Sequence, residues 1–224
     1  MRDKAATGQA TAGDGDKETG RLEAFSDGVF AIAMTLLVLD FKVPKPAELT
    51  AGPGPLGAHG LLGALLSQWP TFLAYLTSFL TILVMWVNHH TLFNLIRRID
   101  HLFLYLNGAL LLCITFLPFP TALVAAYLRH PDAPLASAGY CGTCLLIAIT
   151  FNLLWHHAAS GRRLLGPAAT QEAIDEIDRR YRFGPPLYLA ALLLAFVSHG
   201  VSLLACLALA VFFSVTGAAA RVRA

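Results

Sequence analysis

The sequence predicts an all-α membrane protein whose chain crosses the bilayer six times, and three observations predict it. The first is composition: of 224 residues, 56% are hydrophobic and only 13% charged, where a soluble domain carries roughly 25% charged residues. So few charges cannot cover a water-exposed surface, which makes lipid the solvent for most of the chain. The second is a series of six apolar stretches, at residues 22–43, 70–94, 101–128, 135–157, 185–197 and 201–219. Most approach the roughly 20 residues a helix needs to cross hydrocarbon. The third is the placement of positive charge, which marks the cytoplasmic side. With the N-terminus inside, thirteen of the 16 Lys and Arg residues fall inside, and only Lys42, Lys45 and Arg129 fall outside. Six spans place both termini in the cytoplasm, whereas five would move Arg221 and Arg223 outside.

Each segment follows in order. Residues 1–20 are polar, rich in Gly, Ala and charge, and lack the apolar core of a signal peptide. They read as a disordered cytoplasmic tail, ahead of a six-span unit over residues 21–220. Residues 44–60 are rich in Pro and Gly and read as an irregular loop. The short basic link at 94–100 makes the second and third spans antiparallel neighbours. Pro118 and Pro120 interrupt the third span. The link 160–184 is long and polar, and its centre, 171–182, mixes acids and bases as a short surface helix does. Ser198-His199-Gly200 is the turn between the last two spans. No internal repeat is evident, so a path across the membrane requires several copies around an axis. The net charge of +2 comes with no basic patch interleaved with aromatics, which sets nucleic-acid binding aside.

The first span, RLEAFSDGVFAIAMTLLVLD, carries the most information. An acid near the bilayer centre costs about 2.5–3.5 kcal/mol on insertion scales, so Asp27 must be paired, hydrogen-bonded or near the interface. It lies roughly 9 Å along the axis from Arg21, so a solvated acid near the helix start is one reading. At about 100° per residue, Phe25, Gly28, Ile32, Thr35, Leu36 and Leu39 form one stripe, apolar but for a hydroxyl. Ser26 and Asp27 point elsewhere, towards other helices. Arg21 and Asp27, six residues apart, do not pair along one helix. Partners are on offer from Trp86, Asn88, His89 and His90 in the second span and Asn107 in the third. Together they can build a buried hydrogen-bond network between helices. Without further information the stripe itself reads as ordinary packing against lipid or bundle.

These residues carry a resemblance. Arg21, Phe25-Ser26-Asp27, Ala31-Ile32 and Thr35-Leu36-Leu37 resemble the prokaryotic transmembrane protein 175 family of potassium channels. So do Trp86 with His89-His90, Arg98-Ile99-Asp100, Asn107 and Phe116-Leu117-Pro118-Phe119. The resemblance implies a homotetramer of six-span subunits whose first helices line the pore. It places the constriction at Ile32, continued by Leu36 and Leu39, and a hydroxyl ring favouring K⁺ at Thr35. No T-V-G-Y-G-like run is present, so a carbonyl filter has no visible source. Weak-to-moderate preference for K⁺ over Na⁺ is the expectation. Asp40 ends the first helix at the outer mouth, where four copies can concentrate cations; a solvated helix-end acid is the plainer reading. The family type implies a plasma membrane location, K⁺ as the permeant ion and no cofactor.

Rival readings leave weaker traces. A proton or cation transporter needs acids near the midplane on broken helices, and beyond Asp27 and Asp40 the acids lie in loops or the tail. The adjacent pairs His89-His90 and His156-His157 do not share a helix face, so haem or metal needs ligands from different helices, and no metal site is expected. Cys141-Gly142-Thr143-Cys144 has redox spacing without the βαβ context such a motif needs. Cys113 and Cys206 read as small buried hydrophobes. No nucleophile-plus-base arrangement points to an enzyme.

Overall fold

The computed structural model describes the backbone of residues 3–46 and 60–221 and the side chains of 17–46 and 60–213. Among these residues every regular element is a helix, and the one exception to helical pairing is an isolated bridge between Ile96 and Leu165. Helix α1 runs Asp3–Leu36 and tightens into a 3₁₀ turn at Leu37–Asp40. Then follow α2 (Gly60–Ser67), α3 (Trp69–Phe93), α4 (His101–Phe116), α5 (Pro118–Tyr127), α6 (Ala133–Ala159), α7 (Gln171–Leu194) and α8 (His199–Arg221). Much of the loop expected at 44–60 lies outside the described residues.

Among the described residues four stretches are long and apolar enough to cross a membrane: Lys17–Asp40, Trp69–Phe93, His101–Tyr127 and Ala133–Arg162. The stretch His199–Phe213 is apolar but shorter. Helix α1 reaches back to Asp3, through the segment expected to be a disordered tail. A helix already nucleated in the span propagates outward at little cost, and this tail is rich in Ala, the best helix former.

Proline sets one break, and one proline pair sets none. Pro118 closes α4 at Phe116 and opens α5, because proline suits the first turn of a helix, where no N–H is required. The sequence places a surface helix at 171–182 and a separate span at 185–197, which opens on Pro185 and Pro186. Instead α7 runs unbroken through both. Pro185 has no N–H to give the carbonyl of Tyr181, and Asn152 of α6 replaces it: its Nδ2 donates to Tyr181 O at 2.7 Å. The reversal between α7 and α8 falls at residues 195–198, ahead of the expected Ser198-His199-Gly200. Ser198 initiates the next helix, accepting from the Ser202 N–H at 3.0 Å, so Gly200 sits inside α8.

The core lies where α1, α3, α4 and α6 meet. Phe30, Ala33 and Leu37 of α1 are buried with Ile82 and Leu92 of α3, Phe103, Leu110 and Ile114 of α4, and Ile147 and Leu154 of α6. On one end of the bundle two loops dock on each other. Arg97 and Arg98 N–H both donate to Leu164 O (2.9 and 3.2 Å), and Gly166 N–H donates to Leu95 O at 2.8 Å.

Candidate pore helix and its polar anchor

Helix α1 presents two faces. Ser26, Phe30, Ala33 and Leu37, at spacings of four, three and four, are 1% exposed or less. Across the helix, Phe25, Gly28, Ile32, Thr35, Leu36 and Leu39 are all exposed, Ile32 by 58% and Leu39 by 73%. The stripe expected from helical periodicity is therefore the face this subunit leaves uncovered. In the 3₁₀ turn three residues make one rotation, so Leu39 stays in line above Leu36 although the α-helix has ended.

The inward side carries the polar anchor. Ser26 Oγ donates to Leu22 O at 2.9 Å and accepts from Asn107 Nδ2 at 3.0 Å. Asn107 Oδ1 lies 3.0 Å from His89 Nε2. A carboxamide oxygen only accepts, so Nε2 carries the proton. His89 is fully buried, stacked on Phe93 with centroids 4.4 Å apart and tilted against Phe30 at 5.3 Å. Its Nδ1 has no hydrogen-bond partner among the described residues. Asp27, half-buried, accepts from Trp86 Nε1 at 2.8 Å. Ser26, Asp27, Trp86, His89 and Asn107 are thus brought together, and two connections hold α1 in register with α3 and α4.

Arg21 stands apart. It is exposed and lines a wide cleft of about 730 Å³ with Phe25, Asp100 and His101. Asp40 ends the 3₁₀ turn and borders another cleft of about 460 Å³ beside Lys42 and Gln68.

Several contacts escaped the sequence. His90 Nδ1 lies 2.8 Å from Glu23 Oε1, a second rung below Trp86–Asp27. Glu23 precedes Asp27 by four residues, and His90 follows Trp86 by four, the spacing expected of two antiparallel helices. Gln68 clasps the chain after the 3₁₀ turn, donating to Lys42 O at 2.9 Å and accepting from Lys42 N–H at 3.2 Å. Asp100 caps α4 by accepting from Phe103 N–H at 2.8 Å and lies 2.9 Å from His157 Nε2. The Phe103 N–H, with His157 beside it, holds the Asp100 carboxyl below the usual carboxylate range. The cysteines of the C-G-T-C run are both buried, with free thiols. Cys141 Sγ meets Cys206 Sγ of α8 at 3.0 Å and Ser202 Oγ at 3.1 Å. Among the described residues no three His, Cys, Asp or Glu converge to hold a metal ion.

Residues 21–118 match the family described as the endosomal/lysosomal potassium channel TMEM175. The chain is 54% identical over 197 residues to a potassium channel of Chamaesiphon minutus, covering 88% of this chain and 94% of that one. It is 42% identical over 197 residues to a potassium channel of Streptomyces collinus, covering 88% of this chain and 91% of that one. Its fold superposes on the crystal structure of a lysosomal potassium-selective channel TMEM175 homologue from Chamaesiphon minutus. The TM-score is 0.79 at 52% identity, over 90% of this chain and 98% of that one.

Proposed function

We propose that this chain, which belongs to the TMEM175 family, is one subunit of a potassium-permeable channel in which the exposed stripe of α1 lines the pore. The observation that carries the reading is the division of α1 into a buried face pinned to the bundle and an uncovered apolar face bearing one hydroxyl. The relatives named as potassium channels are similar over nearly their whole length.

Four copies around an axis enclose the stripe. Rings of Ile32 and Leu36 then form a narrow apolar tube, which closes to ions by dewetting. Thr35 Oγ1 donates to Ile32 O at 2.9 Å. Its proton is therefore used within the helix, and its oxygen lone pairs remain free to accept a partly dehydrated cation. Four such oxygens replace part of a hydration shell, fewer than stacked carbonyl rings do, so preference for K⁺ over Na⁺ is weak to moderate. Asp40 on each copy adds negative charge at the outer mouth. The positive-inside bias supports both termini in the cytoplasm of a plasma membrane, with the apolar part of α7 and α8 as the last two of six passes.

Flux from liposomes carrying a K⁺ gradient tests this. Wild type passes K⁺ faster than Na⁺, and Ile32→Asn, which wets the constriction, changes the rate or the preference. A folded protein that passes neither ion in either form overturns the channel reading in favour of a coupled transporter.

A further inference from the structure

A second void lies away from the α1 stripe. It measures about 320 Å³ and is enclosed by α3, α5, α6 and α8, with Leu73, Ala74, Val124, Leu203 and Leu207 among its walls. Trp69, Arg129 and His199 line it at the ends of their helices, while Ser78, Thr121 and Leu207 line it eight or nine residues further in. At about 1.5 Å per residue the void is roughly 12 Å deep.

The two ends differ in chemistry. The deep hydroxyls satisfy one another. Thr121 donates to Leu117 O at 2.8 Å, Ser78 Oγ lies 2.7 Å from Thr121 Oγ1, Tyr140 donates to Thr81 at 3.3 Å, and Thr81 donates to Thr77 O at 2.8 Å. The deep end therefore asks nothing polar of an occupant. At the mouth the Arg129 guanidinium sits 5.0 Å over the Trp69 ring. No carboxylate lines the void, and none of the described residues forms an ion pair with Arg129. Tryptophan and arginine at one level mark the headgroup region of a bilayer. The volume equals about ten waters, yet apolar walls give water too few partners to stay. Leu73 and Leu204, 43% and 64% exposed, leave the side of the void open to lipid.

We propose that this cavity binds an anionic phospholipid, one acyl chain inside it and the phosphate on Arg129. The inference goes beyond the channel reading and needs only that the chain sits in a membrane.

Wild-type protein reconstituted in equal phosphatidylglycerol and phosphatidylcholine, re-extracted and washed in mild detergent, is expected to retain a single phosphatidylglycerol per chain by mass spectrometry. Gly200→Leu fills the mouth side. A Cβ added there meets no atom within 4 Å, so the backbone accepts a side chain at this position, and the variant is expected to lose the lipid. Ala74→Phe, filling the opposite wall, is expected to do the same. Arg129→Gln is expected to keep a lipid but lose about fivefold in preference for phosphatidylglycerol, the equivalent of about 1 kcal/mol for one basic residue at an anionic surface. Equal retention by wild type, Gly200→Leu and Ala74→Phe overturns the cavity site. An unchanged headgroup preference in Arg129→Gln, or retention of free fatty acid in place of phospholipid, overturns the phosphate contact. None of these readouts depends on K⁺ flux, so a protein that fails to conduct leaves them standing.

Discussion

Asn107 touches two helices besides its own, giving a proton to Ser26 and taking one from His89. Asn107→Leu fits the space but strands the His89 Nε2–H, while Ser26 keeps its bond to Leu22 O. Each buried polar group left unpaired costs about 1–3 kcal/mol, so the detergent-solubilised protein should unfold several degrees lower, at about 2–4 °C per kcal/mol for a chain of this size. Thr35 belongs to the same scale. If its oxygen meets the ion, Thr35→Ser keeps the K⁺ over Na⁺ preference in bi-ionic flux and Thr35→Val lowers it, while both still conduct. Ser26, Asp27, Trp86, His89 and Asn107 were legible because a polar group inside an apolar helix must find a partner, and the candidates are few. The Glu23–His90 rung was not. Both residues lie near the end of the span, where water satisfies them equally well, so nothing in the sequence demands that they meet.

At the scale of helices, a single side chain decides whether α7 is one element or two. Asn152→Leu leaves the Tyr181 carbonyl without a donor, and amide exchange in α7 over residues 178–184 should quicken, while exchange in α3 and α4 stays slow. The sequence separates a surface helix at 171–182 from a span at 185–197 because the polar run ends and the apolar run begins there. It does not show that the replacement donor stands on α6, since such a pairing follows no period along the chain. The start of α4 carries a pH dependence of definite sign. The Asp100 carboxyl is held below its ordinary 3.8 by the Phe103 N–H and His157. The folded state thus favours the charged form, and the cap contributes fully above the ordinary value. That contribution is lost as pH falls through the lowered one. Amides at the start of α4 should exchange faster relative to the helix centre only in strong acid, and Asp100→Asn should abolish that dependence.

For the whole molecule, what covers α1 decides its role. An apolar stripe along a helix otherwise anchored in its bundle calls for either copies of itself or lipid. Cysteine trapping separates them. Ile32→Cys and Leu36→Cys should give covalent dimers on mild oxidation in membranes, and Ala33→Cys, on the buried face, should not. Monomers throughout would place lipid against the stripe. The direction of the stripe was readable from spacing alone, because an α-helix repeats every 3.6 residues. The number of copies was not, since one chain contains no record of its symmetry axis.

The docking of the 94–100 loop on the 163–170 loop gives the bundle a lever. Three backbone hydrogen bonds tie the foot of α7 to the link between α3 and α4, and those two helices hold His89 and Asn107. A Cβ on Gly166 would lie 3.3 Å from Arg97 Cβ, so there is little slack between the loops. With so little slack, a displacement of the start of α7 carries the link between α3 and α4 with it. The start of α7 is thereby coupled, through His89 and Asn107, to the two helices that brace α1.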